Sequence, residues 1–289
     1  MKWCVVTAEQ NAARFEALSQ FMTSKGITNT LTKMPATSEN VLDVVKDCQN
    51  QYDFIRIGPP FGNRITHMGV HNTEQISRIR SGDALIKIRS VWWPKSFLFG
   101  AIMKQFSLNM KSVNHHSAIF IVGAGSTTRV LIGVFAQMGF LKFHITDRDN
   151  KLGSELMAEV KKTYFNVEFQ FVPQSSIMLL PGVNSVMINT TPLTTENTIL
   201  KDLYYFNFLK NPATVIDMNL YPIPSPLSKE AAELGAHCIH GYQFAAQADA
   251  DWLKEISGVD IQVAEYQEIL KEELNKIPFD TTPFNRPKD

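Results

Sequence analysis

Residues 118–128 read AIFIVGAGSTT. The apolar run 118–122 leads straight into Gly123-Ala124-Gly125, and the residues over 128–138 have helical spacing. Strand, glycine turn and helix in that order are what binding a dinucleotide pyrophosphate requires. Gly123 permits the tight turn, and Gly125 lets the backbone approach phosphates with no Cβ in the way. The helix N-terminus then offers unpaired N–H groups and the positive end of its dipole to the anion. The third glycine slot is occupied by Thr128, a departure from the glycine pattern.

The next expected strand, 141–146, ends at Asp147, about 20 residues beyond the glycines, where a ribose-binding carboxylate belongs. An acid there accepts hydrogen bonds from both adenosine ribose hydroxyls and repels a 2′-phosphate, which favours NAD. Arg148 follows directly and is able to pair with a 2′-phosphate, so NADP stays open.

Outward from this turn, short strands alternate with helices. Strands are expected at 167–171, 185–189 and 214–218, with helices over 152–161 and 200–209. That alternation predicts an α/β fold with a Rossmann-type, doubly wound parallel sheet. Upstream, strands at 3–6, 54–57 and 84–88 and helices near 8–25, 41–48, 73–81 and 96–110 read as a smaller α/β unit. Residues 111–116 are a polar hinge, helices follow at 244–256 and 261–276, and a proline-bearing tail begins at Pro278. The expected organisation is a substrate-type domain over 1–105 and a dinucleotide domain over 112–241. Helices and tail over 244–289 then return to the first domain.

Composition bounds the function. The chain has 289 residues, 44% hydrophobic and 19% charged, with Lys+Arg and Asp+Glu both 28. Two lobes with sizeable cores fit that length, and the balanced charge offers no field for nucleic acid or an acidic membrane. Cys4, Cys48 and Cys238 are too scattered for a metal or redox pair, and their odd number suits a reducing cytoplasm. No stretch reads as a signal peptide or membrane span. His67 and His71 are four apart, but Gly69 between them disfavours a helix, so no metal is expected.

Several segments resemble the shikimate/quinate dehydrogenase family. Its glycine loop followed by Arg appears as Gly123-Ala124-Gly125-Ser126-Thr127-Thr128-Arg129, and its Asn-Arg-Thr as Asp147-Arg148-Asp149. Its Asn-(Ala/Thr)-Thr-Pro appears as Asn189-Thr190-Thr191-Pro192, followed by Asp217 to Pro222 and Ser225-Pro226-Leu227. Gly235 to Gly241 looks like the last strand with its glycine, and Ile256-Ser257-Gly258 matches the helix end beyond. The resemblance implies a substrate domain completed by the C-terminal helices, a cleft between the domains, and a nicotinamide coenzyme. It implies that the backbone from Ala124 to Thr127 holds the pyrophosphate, that Asn189, Thr190, Thr191 and Pro192 line the coenzyme path, and that Met218 and Gly241 border the nicotinamide.

The substrate half departs from the pattern. The family's Asn-Val-Thr-x-Pro-x-Lys loop falls on Arg56 to Gly62, which puts Gly62 at the catalytic lysine. The family's Asn-Thr-Asp falls near Lys95-Ser96-Phe97, where no acid stands. The substrate-gripping serines have no counterpart around 7–11, although Asn11 matches. The family's helix glutamine aligns with Ala248, one place after Gln247, which is therefore turned ~100° around the helix. Oxidising an alcohol needs a base for the hydroxyl proton, and losing one typically costs about 10²–10⁴-fold, so shikimate is not the expected substrate.

Three functions remain. The first is an NAD(P)-dependent oxidoreductase acting on a small polar hydroxy or oxo substrate carrying a carboxylate. The second is a catalytically silent dinucleotide binder or sensor. The third is a shikimate or quinate dehydrogenase with a divergent substrate loop. Catalytic groups are not assigned; Lys95 and Tyr242 are candidates, against a surface lysine and a buried aromatic. Arg56, Arg64 and Gln247 are candidate substrate contacts, against ordinary surface arginines. Trp92 and Trp93 read as wall residues or a stacking platform. The expected partner is a small molecule, with homodimerisation open.

Overall fold

The computed structural model describes residues 1–8, 12–68, 71–109 and 114–284. In chain order the elements begin with β1 (Lys2–Thr7), α1 (Ala13–Ser24), β2 (Thr30–Pro35), α2 (Val41–Gln51) and β3 (Phe54–Ile57). A 3-10 turn over Phe61–His67 precedes α3 (Glu74–Ile79), β4 (Ala84–Ile88), β5 (Val91–Lys95) and α4 (Phe97–Asn109). Next come β6 (Ala118–Val122), α5 (Ser126–Gln137), β7 (Lys142–Thr146), α6 (Asn150–Thr163) and β8 (Glu168–Phe171). The chain continues through β9 (Asn184–Asn189), α7 (Ile199–Leu203), β10 (Leu209–Asp217), α8 (Pro226–Glu233) and β11 (His237–His240). It closes with α9 (Gly241–Ser257) and α10 (Val263–Asn275).

Two compact units result: Met1–Ile102 with Ala245–Glu273, and Met103–Phe244 with Leu274–Asp289. The second holds six strands in the order β11-β10-β9-β6-β7-β8, every neighbouring pair parallel. Strand order reverses between β6 and β9, the switch point at which doubly wound sheets take ligands. Parallel strands covered by helices on both faces need apolar residues throughout, which is why the run at 118–122 does not alternate. Every residue of β6 is buried.

The first unit carries a mixed sheet, β2-β1-β3-β4-β5, with β1 parallel to β2 and β3, and β4 antiparallel to β3 and β5. One face packs Cys4, Val6, Ile55 and Ile57 against Val41, Val45 and Cys48 of α2. On the other, Trp252 of α9 lies 5.0 Å from Trp3 and 6.4 Å from Phe54, ring centre to ring centre.

Some elements depart from the sequence expectation. Strands β2 and β5 read as coil because both are sheet edges, where one exposed side removes the need for an apolar run. Pro94 within β5 is tolerated for the same reason. The helix expected over 200–209 stops at Leu203, and Leu209 already opens β10, whose register against β9 breaks between Leu209 and Thr214. Helix α8 has no counterpart among the expected elements, although Ser225 caps it by accepting from the Ser228 N–H at 3.2 Å, with Pro226 as its first residue. That Ser-Pro pair is a readable start signal.

The tail groups with the second unit, not the first: Tyr204 donates to the Phe284 carbonyl at 2.7 Å, and Phe284 joins the cluster containing Phe120, Leu203 and Phe208. Residues 111–113 of the expected hinge, Asn11, Gly69 and Met110 lie outside the described residues. No helix among those described is long and apolar enough to cross a membrane.

Candidate functional site

All residues expected to serve a dinucleotide stand at one edge of the six-stranded sheet. The strands are parallel, so their carboxyl ends lie together. Gly123 follows β6, Asp147 and Arg148 follow β7, Asn189 closes β9, Met218 follows β10 and Gly241 follows β11.

Gly123 has φ +108°, and a Cβ there would run into Thr190 Oγ1. Thr190 in turn donates to the Val122 carbonyl at 2.7 Å, so the β9 loop grips the glycine turn. Thr128 explains how the chain manages without a third glycine: its buried hydroxyl donates to the Gly123 carbonyl at 2.6 Å and lies 3.1 Å from Thr190 Oγ1. Gly125 is the N-cap of α5 and is open, since a Cβ there would meet nothing within 4 Å. No side chain caps this helix, so the first-turn N–H groups at Ser126 and Thr127 keep no internal acceptor.

Asp147 accepts from the Ala124 N–H at 2.7 Å and the Asp149 N–H at 2.8 Å, one bond per oxygen. The expectation that Ala124 helps hold pyrophosphate is thereby corrected: its N–H serves Asp147. A carboxylate has about four lone-pair positions, so Asp147 keeps acceptor capacity after both bonds. Arg148 beside it is exposed.

Asn189 is fully buried and takes two hydrogen bonds on Oδ1, from Thr191 N at 3.1 Å and Thr191 Oγ1 at 2.7 Å. Asn197 donates to Thr191 Oγ1 at 2.8 Å and the Pro192 carbonyl at 2.9 Å. The threonine hydroxyls therefore shape the turn. Gly241 is forced by close approach, because a Cβ would stand 2.5 Å from the Met218 carbonyl oxygen.

Asp217 closes a strand in the sequence pattern, but its setting emerges only in three dimensions. It is 1% exposed and accepts from Ser225 Oγ at 2.5 Å, Asn219 Nδ2 at 2.8 Å, and Asn189 Nδ2 and Asn219 N at 3.1 Å each. It thereby ties β9, β10 and the cap of α8 together. Burial pushes its carboxyl above the ordinary range, against the pull of those donors. A raised carboxyl favours the protonated folded state, so this group's contribution to stability falls as pH rises through its folded value. Asp217→Asn should therefore gain on wild type as pH rises above about 4, the ordinary carboxyl value, as read by urea unfolding at several pH values. A constant gap between the two proteins would show that Asp217 does not titrate this way.

In the first unit, Arg56 corrects the sequence expectation. Expected as an exposed clamp, it is 1% exposed, with Nη1 2.9 Å from Asp249 Oδ1 and rings of Phe15 and Trp252 over its guanidinium. That Nη1 contact is a close ion pair whose angle does not make a hydrogen bond. Burial lowers the Arg56 pKa, and Asp249 opposes the shift. Arg64 is exposed on the 3-10 turn, so the two arginines form no common clamp.

Lys95 lies on β5, not at a helix start, and its Nζ pairs with Glu255 at 3.1 Å. Gln247 is 7% exposed and donates to Asp251 at 3.0 Å. Tyr242, in the second unit, stacks on His240. His71 stacks on Trp93 at 5.1 Å, and Lys87 lies over Trp92.

No protein-family model and no curated protein matches the chain. Solved structures do. Shikimate 5-dehydrogenase from Thermus thermophilus, in complex with NADP(H) and shikimate, aligns over 95% of this chain and 100% of its own, at 13% identity and a TM-score of 0.73. Quinate dehydrogenase from Corynebacterium glutamicum in complex with NAD aligns over 94% and 98%, at 13% identity and a TM-score of 0.78. The chain has the shikimate dehydrogenase fold. A third protein with this fold, the ligand-free 5-ketofructose reductase of Gluconobacter sp. strain CHM43, aligns over 94% and 97%, at 14% identity and a TM-score of 0.71.

Within this shikimate dehydrogenase fold, the chain fills two positions in its own way. Gly62 is buried in the 3-10 turn and accepts the Gly82 N–H through its carbonyl at 2.9 Å. At the start of α4 a carboxylate is nonetheless present, contributed by Asp83: Oδ1 accepts from Phe97 N at 2.9 Å and Oδ2 from Leu98 N at 2.8 Å. The sequence near 95–97 does not reveal it, because the acid comes from the far end of the β4–β5 hairpin.

Proposed function

We propose that the chain binds a nicotinamide dinucleotide at the β6–α5 turn, NAD in preference to NADP, and acts as an oxidoreductase on a small anionic hydroxy or oxo compound. The observation that carries this reading is the glycine turn itself. Gly123 is locked against Thr190, Gly125 opens onto free space, and α5 presents uncapped N–H groups there. Such a cradle suits a pyrophosphate. Two of the proteins sharing this fold were crystallised with NADP(H) or NAD, which supports the same ligand here.

In the proposed complex Ser126 and Thr127 hold phosphate oxygens through backbone N–H groups, and Asp147 accepts from the adenosine ribose. Met218 and Gly241 border the nicotinamide, with Asn189 to Pro192 shaping the path toward it. A bound nicotinamide supplies or takes the hydride. Shikimate is disfavoured as substrate because position 62 has no side chain to move a proton. That the fold also carries a 5-ketofructose reductase supports a different hydroxy or oxo compound.

A second reading, a silent dinucleotide binder, is favoured by Lys95, whose amine is engaged by Glu255. Fluorescence titration with NADH and NADPH, followed by a hydroxy-acid screen at the nicotinamide absorbance, separates the two. NADH binding with no turnover supports the silent binder; no binding of either nucleotide overturns both. Asp147→Ala should weaken NADH at least about tenfold, the worth of hydrogen bonds to a charged group, while sparing or improving NADPH. An unchanged preference would remove Asp147 from the ribose site.

A further inference from the structure

Arg14, in the first turn of α1, is gripped along one edge by Asp249 of α9. Its Nε donates to Oδ2 at 2.9 Å and its Nη2 to Oδ1 at 2.7 Å. Nη2 also donates to the Ala245 carbonyl at 3.2 Å. Two parallel bonds to one carboxylate fix the guanidinium plane as well as its position. Nη1 has no protein partner among the described residues, and the side chain is 18% exposed. One edge of the guanidinium is pinned, and Nη1 is the nitrogen left over.

Asp249 is itself held from behind. Arg56 Nη1 lies 2.9 Å from the same Oδ1 and is buried, and Tyr266 donates to Oδ2 at 3.3 Å. Two guanidinium groups thus share one carboxylate. The carboxylate of Asp83 is spent on the α4 amides and acts on both arginines only at longer range. A structural ion pair needs one cation, and burying a second is costly. The arrangement makes sense if Arg56 and Asp249 are a support that sets Arg14 in advance of a ligand, removing the ordering cost at binding. The place also fits, since the first turn of α1 follows the carboxyl end of β1, where open α/β sheets gather ligands.

We propose that the Nη1 edge of Arg14 anchors the carboxylate or phosphate group of a small anionic ligand, with Asp249 and Arg56 as its positioning residues. This rests on the proposed function only in making that anion the substrate's; the anchor itself is tested without coenzyme. The full-length chain would be titrated calorimetrically with glycolate and, separately, with inorganic phosphate, at matched ionic strength. The same titrations on Arg14→Gln and Arg14→Lys should weaken binding roughly tenfold or more for Gln, the worth of a charged hydrogen bond, and less for Lys, which keeps the charge without the fork. Circular dichroism melts establish that the variants are folded.

Equal affinity in wild type and Arg14→Gln overturns the anchor, as does failure of the wild type to bind either anion. Preference between glycolate and phosphate identifies which group it takes. NADH titration of the wild type keeps the two ideas apart. Anion binding through Arg14 without NADH binding leaves the anchor standing and removes the coenzyme reading. The reverse outcome removes the anchor alone.

Discussion

Replacing Asp249 by alanine is expected to lower the stability of the folded chain by about 3–5 kcal/mol, measured by urea unfolding at neutral pH. The cause is not loss of a contact area. Asp249 is fully buried and faces two guanidinium groups and the Tyr266 hydroxyl. Arg14 can turn partly toward solvent once released, because it is already 18% exposed. Arg56 cannot, because it is enclosed by Phe15 and Trp252 and is 1% exposed. Truncation therefore leaves a cation in a place from which water is excluded, and that uncompensated charge makes up most of the effect. Removing both charges together, as in Asp249→Leu with Arg56→Met, should recover a large part of the loss. A single-variant loss under about 1 kcal/mol would put the Asp249 network in the class of surface ion pairs.

Gly123→Ala is the second large effect, and it acts on binding and stability together. The backbone stands at φ +108°, a region that costs a residue with a Cβ about 1–3 kcal/mol. The new methyl would also run into Thr190 Oγ1 and come to 3.1 Å from Thr191 Cγ2. Thr190 cannot simply rotate away without giving up its bond to the Val122 carbonyl, which joins β6 to the β9 loop. Either the glycine turn or that loop must shift, and both border the proposed cradle. We expect a stability loss of at least about 2 kcal/mol and NADH affinity lowered at least about tenfold. Gly125→Ala provides the contrast. Its Cβ meets nothing in the protein, so stability should hold while NADH binding weakens through the methyl's approach to phosphate. Equal NADH affinity in wild type and both variants would dismiss this turn as the binding place.

Much of the second unit is legible because its signals are local. An apolar run such as 118–122 has one satisfactory fate, a strand covered on both faces, and a glycine pair after it has few structural uses. Asp147, Asn189, Met218 and Gly241 can be assigned to one edge because parallel strands repeat the same exit. The first unit is less legible. Strands β2 and β5 lie at sheet edges, where pattern is weak. The exposed setting expected for Arg56 fails because an arginine in Phe-Ile-Arg-Ile carries no mark of burial. The clue lies elsewhere, in Asp249, a lone acid among the buried Ala245, Ala246, Ala248 and Ala250 of α9. An acid on an apolar helix face asks for a partner.

What the residues settled by themselves was the run of strands from β6 to β10, the glycine turn after β6 and the acid that follows β7. Each follows from backbone conformations that neighbouring residues permit or forbid. Which polar groups are spent and which remain for a ligand was decided only when distant segments met. Ala124 gave its N–H to Asp147, Thr128 took the slot of a missing glycine, Asp83 reached the start of α4, and Arg14 was braced by α9. Hydrogen bonds and charges pair across space, with sequence separations such as the 235 residues between Arg14 and Asp249. No local pattern encodes such a pairing.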